Sequence, residues 1–323
     1  MKVNLKWLFF VTFAIAAFAS GAGAQGYPTR PVKIIVGYVA GGGPDSVARA
    51  LAQKMGEILG QPFVVENRPG AGGTLATGIV AKSLADGYTL LAVETGQLVI
   101  APYIYKTLSY NTLKDFTPVG LASSESVFLV ASPKSNIKTM ADLIREAKAN
   151  PGKISYGSSG IGTIHHITAE VFMSEAGIDL QHIPYKGSSQ SVPAILAGDI
   201  PVLMSGFGSV AAHIRSGKLN PLAITTEKRP PSMPDAPIIG DLIKGYDFPS
   251  ETGLLAPAGL PAVVLAKLSN AIKLATESPE FIARFKDTGT VPSFMDPSEY
   301  TKSLKANLKK YEQAVSLAKI QPQ

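Results

Sequence analysis

The sequence contains no cysteine, which excludes disulfide bonds, thiolate chemistry and lipid attachment through an N-terminal cysteine. It also lacks a long apolar run, because the N-terminal stretch Trp7–Ala19 is shorter than the roughly 20 residues that a membrane-spanning helix needs. Two lysines precede this stretch, and the small residues that follow it end in an A-x-A motif at Ala22–Ala24. This pattern predicts a secretory signal peptide over residues 1–24, cleaved after Ala24. A retained N-terminal anchor is the alternative.

The charge is small and dispersed. The formal net charge is +6, and removal of Lys2 and Lys6 with the signal peptide leaves +4 without any basic run. Nucleic-acid binding needs a clustered basic patch, so no nucleic-acid partner is expected. A small anionic ligand suits this balance.

Motifs for catalysis and for metal binding are also missing. No serine satisfies G-x-S-x-G, since residue 161 is Ile in the loop that holds Ser158 and Ser159. The chain has four histidines and no H-E-x-x-H, and His166 with Glu170 offers only two metal ligands. We therefore expect no enzyme activity, no metal and no cofactor, although an exported hydrolase with scattered catalytic residues stays an alternative.

What is present is an alternation of strand-like and helix-like segments, typical of an α/β fold with largely parallel sheets. The pattern restarts near Val127 and becomes mostly helical from Ala262 to about Leu317. Two α/β units predict two lobes around a cleft. Ligands of open α/β sheets bind beyond the carboxyl ends of strands, so three loops are expected to meet there: Val39–Asp45, Ser158–Thr163 and Ser205–Ser209.

The first of these loops, in "VGYVAGGGPDSVAR", joins a strand to a helix. Glycines let backbone N–H groups approach an anion closely, and a helix N-terminus favours negative charge. A tight structural turn is the other interpretation. Asp45 is expected to cap the helix, or else Gly43 caps it with Pro44 in the first position. In the second loop, Thr163 is a candidate N-cap and the N–H groups of Gly160 and Gly162 are candidate ligand donors.

A longer set of motifs resembles one family over nearly the whole chain after residue 24. These motifs are "YPTRPVKIIVGY", "GQPFVVENRPGAGG", "DGYTLL", "YGSSGIGT", "IPYKGSS", "LAITTEKR" and "GLLAPAGLP". On these motifs the chain resembles the Bug family, the extracytoplasmic solute receptors of tripartite tricarboxylate transporters.

The resemblance implies a periplasmic, two-lobed "Venus flytrap" α/β fold, each lobe a mostly parallel sheet flanked by helices. Its lobes are expected to be 25–126 plus 252–323, and 127–251. It implies a monomer that captures a small carboxylate for the membrane subunits of a tripartite transporter, or an orphan sensor for a membrane signalling partner. The expected ligand contacts are Tyr38, Val39, Ala40, Gly41, Gly42, Gly43, Asp45, Ser158, Ser159, Gly160, Gly162, Thr163, His166, Tyr185, Ser205 and Gly206.

Departures from the family pattern suggest the ligand class. Many members carry an aspartate near Ser205 that can receive an ammonium group, and neither Ser205 nor Gly206 can replace it. A di- or aromatic carboxylate without an amine is therefore expected. Ile161, where many members have asparagine, adds apolar surface in favour of that choice.

Overall fold

The computed structural model describes residues 26–318 and residue 320, so the signal peptide expected over residues 1–24 lies outside the described residues. Within that part of the chain, no helix is both long and apolar enough to cross a membrane. The strands are β1 Val32–Val36, β2 Phe63–Asn67, β3 Thr89–Glu94, β4 Phe116–Glu125, β5 Val127–Ala131, β6 Ser155–Ser158, β7 Gln181–Pro184, β8 Val202–Gly206, β9 Asn220–Ile224, β10 Ser250–Pro257 and β11 Thr290–Met295.

The helices are α1 Gly43–Leu59, α2 Thr74–Ala81, α3 Ala101–Ile104, α4 Met140–Ala149, α5 Ile164–Ala176, α6 Ser188–Ala197, α7 Phe207–Arg215, α8 Ala262–Thr276, α9 Pro279–Phe285 and α10 Pro297–Leu317. Two 3-10 turns, Ala71–Gly73 and Ile239–Asp241, and a π-helical turn, Gly96–Ile100, complete the set. The long helix α1 forms as its pattern predicts: Val47, Leu51 and Met55 are buried along one face, and Gly60 ends it at φ 72°.

Two separate sheets carry the fold. The first has the strand order β11-β4-β10-β3-β1-β2, and the second has the order β7-β6-β8-β5-β9. In the first sheet β1 is parallel to β2 and β3, whereas β10 is antiparallel to β3 and β4, and β11 is antiparallel to β4. In the second, β6 is parallel to β7 and β8, and β5 is antiparallel to β8 and β9.

The α/β architecture is confirmed, but the expectation of mostly parallel sheets is wrong, because both sheets are mixed. A single residue, Ser126, separates β4 from β5, so the chain passes almost straight from one sheet into the other. It returns at Ser250 as β10, which enters the first sheet from the opposite direction between β3 and β4. The expected helical C-terminal region is also interrupted, by β11 at the sheet edge.

Helix α10 joins the two halves of the molecule. Asp296 and Glu299 form a capping box at its start. The helix then packs against β4 and the π-helical turn on one side and against α5 on the other. Its Tyr311 ring meets Phe248 edge-on at 5.6 Å, inside one continuous core that draws residues from both sheets. The edges of the two sheets are therefore held next to each other.

Candidate functional site

Strand ends of the two sheets face one another. β1, β3 and β4 run in the same direction, so their carboxyl ends lie at one edge of the first sheet. In the second sheet the parallel strands β6 and β8 end at Ser158 and Gly206. Glu125, at the end of β4, connects the edges, because its Oε1 accepts a hydrogen bond from the Gly208 N–H at 3.2 Å. The loops expected to bind a ligand thus follow strand ends that meet, as such sheets generally require.

Asp45 shapes the first loop from inside. Its almost fully buried carboxylate accepts hydrogen bonds from the Gly41 N–H at 2.9 Å, Arg49 Nε at 2.9 Å and Asn67 Nδ2 at 2.8 Å. Asn67 Nδ2 also donates to the Tyr38 carbonyl at 2.9 Å. Burial acts to raise the pKa of Asp45, but these hydrogen bonds outweigh it and the pKa is lowered. Its oxygens are therefore occupied by donors from the loop, from α1 and from β2.

Helix α1 begins without a side-chain cap. Its N-cap is Gly42, with φ −74° and ψ 172°, so neither of the expected caps, Asp45 or Gly43, holds that position. Pro44 stands within the first turn, and Gly41 has φ +88°, a backbone conformation that favours glycine. N–H groups at a helix start have no partner within the helix. The N–H groups of this first turn are consequently available to an approaching anion.

Each of the two glycine-containing loops also exposes one large apolar side chain. Val39 in the first loop is 66% exposed and Ile161 in the second is 52% exposed. Ala40, Gly41 and Gly43 are exposed beside Val39. Exposed apolar side chains at the rim of a site can cover the carbon skeleton of a small ligand.

The second loop is built on a buried serine. The Ser158 hydroxyl is fully buried, lies 2.7 Å from His182 Nε2 and accepts the Gly160 N–H at 3.1 Å. Thr163 is the N-cap of α5, as expected, because its hydroxyl accepts the His166 N–H at 3.4 Å. Ser158 therefore supports the loop from below.

Several donors of this loop are paired within their own half of the molecule. The Gly162 N–H donates to His166 Nδ1 at 3.1 Å, and the Ser159 hydroxyl is hydrogen-bonded to His165 Nδ1. The Gly160 N–H is held by Ser158, so the N–H groups of both Gly160 and Gly162, the candidate ligand donors of this loop, have partners within the protein in this conformation. These N–H groups are paired because the side chains of Ser158 in β6 and His166 in α5 accept hydrogen bonds from the loop.

Rings stack beneath the loop. His166 and His182 lie face to face with centroids 4.0 Å apart, and Tyr156 stacks on His182 at 4.9 Å. Glu170 Oε1 accepts from the Tyr156 hydroxyl at 2.6 Å and lies 3.6 Å from His166 Nε2. Burial, and then the neighbouring His166, lowers the pKa of His182 to about 4. No group of three or more metal-binding side chains occurs among the described residues. The stacked rings of His166 and His182 contact the loop directly, through the Gly162 N–H and the Ser158 hydroxyl.

The remaining expected contacts lie behind the second loop. The Tyr185 N–H donates to the Ser158 carbonyl at 3.1 Å. Ser205 is 1% exposed, and its hydroxyl lies 3.5 Å from that of Ser188. Gly206 is the N-cap of α7 and, like Gly42, has no side-chain cap. Glu125 serves the start of α7 instead, because its Oε1 accepts the Gly208 N–H, and its Oε2 lies 3.7 Å from the position of a Cβ on Gly43 at the start of α1.

Two carboxylates at this edge escaped the sequence analysis. Glu94 ends β3 and accepts hydrogen bonds from the Ser250 hydroxyl at 2.7 Å and from the hydroxyl of Tyr38. Burial raises the pKa of Glu94, and it raises the pKa of Glu125 to about 7, with the nearby Glu94 adding to the shift. Each is a single acid at the last position of its strand, a signal that marks the carboxyl edge of a sheet only once the strand order is known.

Comparison with known proteins agrees with this geometry. Residues 47–319 match the family model described as "Tripartite tricarboxylate transporter family receptor". The chain is 36% identical over 310 residues to the Cupriavidus necator "UPF0065 protein in gbd 5'region", covering 95% of this chain and 94% of that one.

Solved structures give the same result. "R. palustris Rpa4515 with adipate" superimposes with a TM-score of 0.83 at 29% identity, covering 92% of this chain and all (100%) of that chain. "Structure of periplasmic binding protein BugD" has a TM-score of 0.80 at 31% identity, with coverage of 92% and 100%. The chain therefore belongs to the receptor family of the tripartite tricarboxylate transporters, a family of periplasmic solute-binding proteins that includes the Bug receptors.

Proposed function

We propose that this protein captures a small carboxylate between its two lobes and delivers it to the membrane subunits of a tripartite tricarboxylate transporter. The observation that carries the proposal is the start of α1 at Gly42, which has no side-chain cap. Hydrogen bonds from Gly41 and Asn67 to the Asp45 carboxylate hold the conformation of the loop before it. Such a helix start binds carboxylates through N–H groups and its dipole. The relative from R. palustris with adipate supports a carboxylate ligand.

We take the lobes to be 25–126 with 252–323, and 127–251. The separation of the strands into two sheets supports this division, although β10 of the first sheet begins at Ser250, two residues before the boundary. Closure then proceeds by bending near Ser126 and Glu251, where the chain crosses between the sheets. The ligand carboxylate lies against the loop from Val39 to Gly43, and the second loop closes over it from Ser159 to Thr163. Val39 and Ile161 cover the carbon skeleton.

Binding of this kind needs no catalytic group. Micromolar affinity corresponds to about −8 kcal/mol. Hydrogen bonds to a charged group contribute roughly 1.5–3 kcal/mol each, and a helix N-terminus adds about 0.3–2 kcal/mol. Roughly three or four such bonds, less the cost of association and closure, reach that value. We propose a binding protein without catalysis, cleaved after Ala24, monomeric and periplasmic.

The test is a thermal-shift screen of the protein against mono-, di- and tricarboxylates, with aromatic and amino acids included. A ligand at about 100 times its Kd stabilises by about 2.7 kcal/mol, which raises the midpoint by several degrees. Gly42→Ala places a methyl group in the anion path, where the Val39 carbonyl oxygen lies 3.7 Å from the new methyl position. Gly56→Ala, in the same helix, is the matched control.

We expect Gly42→Ala to weaken binding at least about tenfold and to leave the ligand-free midpoint near that of wild type. Equal affinity in the two variants, or no shift with any acid, would count against the proposal. Capture of the transporter's membrane subunits separates transport from sensing by a signalling partner. Turnover of carboxylate esters would instead support a hydrolase.

A further inference from the structure

A side chain of the first lobe touches the second loop. Ile104 is the last residue of α3, and its Cδ1 lies 2.3 Å from the position that a Cβ on Gly162 would take. Carbon atoms that are not bonded to each other pack at about 3.5–4.0 Å, so this approach leaves no space for a side chain on Gly162. α3 belongs to the proposed lobe 25–126 and Gly162 to the lobe 127–251. The contact therefore joins the two lobes at a loop that is expected to bind the ligand.

The contact with Ile104 gives a reason for a glycine at position 162. Its φ is +73°, a conformation that favours glycine, but an N–H donor to the ligand is not the explanation in this conformation. The Gly162 N–H already donates to His166 Nδ1 at 3.1 Å. What the contact requires of Gly162 is the absence of a side chain.

Ile104 is held in place by the structure that precedes it. The side chain is buried, and α3 continues directly from the π-helical turn Gly96–Ile100. Within that turn the Leu98 carbonyl accepts a hydrogen bond from the Thr112 hydroxyl at 2.7 Å. Helix α10 packs against both the turn and α3. Turns of this kind are uncommon and frequently occur at functional sites, and this one presents Ile104 to the second loop.

The hydrogen bonds of the second loop come from its own lobe. Ser158 accepts the Gly160 N–H at 3.1 Å, and the Thr163 hydroxyl donates to the Gly160 carbonyl at 2.8 Å. These bonds determine the shape of the loop but not its distance from the first lobe. Ile104 contributes that second constraint, because it limits how near the loop can come to α3.

We propose that Ile104 is a positioning residue for ligand binding: the second loop packs against it when the lobes close, and a side chain at Gly162 would hold the lobes apart. This inference rests on the proposed function and adds a residue on which closure depends. Ile104 acts through the loop and not on the ligand itself. A change in the contact should therefore weaken the binding of every acid by the same factor, whereas the loss of a direct ligand contact would change the preference among acids.

The test is a double-mutant cycle at the two positions. Gly162→Ala places a methyl group 2.3 Å from Ile104 Cδ1, and Ile104→Val removes that atom. Titration calorimetry with benzoate, succinate, adipate and citrate compares wild type, both single variants and the double variant. For each acid that wild type binds, we expect Gly162→Ala to weaken affinity at least about tenfold and Ile104→Val to change it less than about threefold. The double variant should return to within about threefold of wild type.

Gly177→Ala is the matched control. Gly177 follows the last residue of α5, the helix that begins after the second loop, and its φ is +62°. Among the described residues, no atom beyond its own chain neighbours and helix backbone lies within 4 Å of its Cβ position. The variant therefore carries a backbone strain similar to that of Gly162→Ala without the steric contact. It should lower the unfolding midpoint and leave every affinity at the wild-type value.

Wild-type affinity in Gly162→Ala, or a loss that Ile104→Val does not restore, would overturn the inference and leave the proposed carboxylate receptor intact. Unequal losses among the acids would also overturn it, because they would indicate that Gly162 contacts the ligand directly. Absence of binding of all four acids by wild type would overturn both proposals.

Ile104→Ala keeps the inference testable if Gly162→Ala does not fold. This variant removes most of the surface against which the loop packs and adds no strain to the loop itself. We expect a uniform loss of affinity of about threefold or more. An affinity equal to that of wild type would overturn the inference.

Discussion

The buried carboxylate of Glu125 gives a stability prediction with a defined sign. Burial raises its pKa from 4.5 to about 7, so the folded state holds a proton that the unfolded state releases between these two values. Stability due to the protonated form is complete below about pH 4.5 and is lost as the pH rises through 7. One pKa unit corresponds to about 1.4 kcal/mol, so the loss reaches about 3 kcal/mol. Glu125→Gln keeps the shape without the charge and avoids this loss.

We therefore expect the variant to match wild type near pH 4.5 and to exceed its free energy of unfolding by up to about 3 kcal/mol near pH 8. The midpoint should rise by roughly 6 °C for a chain of this size. Urea unfolding across this pH range, on protein refolded to remove ligand, measures the difference. A difference that is constant with pH, or largest at low pH, would refute the reasoning. Glu251→Gln should give a curve of the same sign.

Three further predictions concern contacts that hold the site in place. Asp45→Asn should lower the free energy of unfolding by about 1–3 kcal/mol near neutral pH, and the gap to wild type should close in urea titrations as the pH falls through the lowered pKa of Asp45. Gly289→Ala should destabilise by about 2–4 kcal/mol, because its φ is +76° and a Cβ would stand 1.7 Å from a Phe207 ring atom; an unchanged urea midpoint would contradict this. Tyr246→Phe removes a 2.6 Å bond to the Thr168 carbonyl and should cost about 1 kcal/mol, measurable by thermal unfolding, and an equally stable variant would argue that this buried carbonyl finds another donor.

Local patterns were sufficient to predict much of the first loop. The strand, the glycines and the apolar face of α1 all lie within about thirty consecutive residues, and hydrophobic periodicity predicts secondary structure well over a span of that length. The function of Asp45 was not readable in this way, since Asn67 lies 22 residues away and becomes a neighbour only through the pairing of β1 with β2. The prediction that Asp45 caps α1 was wrong for that reason.

The roles of Glu94 and Glu125 could not be predicted for a related reason. Each is one acid among 24 in the sequence, without a motif around it. They become neighbours of one site because β10 enters between β3 and β4, and strand insertion over such a distance leaves no local signature. The same insertion makes the sheets mixed, which the alternating pattern did not reveal.

The central position of β10 also determines when each half of the chain can fold. Strands β5 to β9 are contiguous, so the second sheet is complete once the chain up to Ile224 has emerged. The first sheet lacks a middle strand until Ser250–Pro257 follows, although its first strand was made more than two hundred residues earlier. Contacts so distant in sequence form slowly. A chain that leaves the ribosome N-terminus first therefore keeps strands β1 to β4 without their central partner until Pro257 has been made, long after the second sheet has all of its strands.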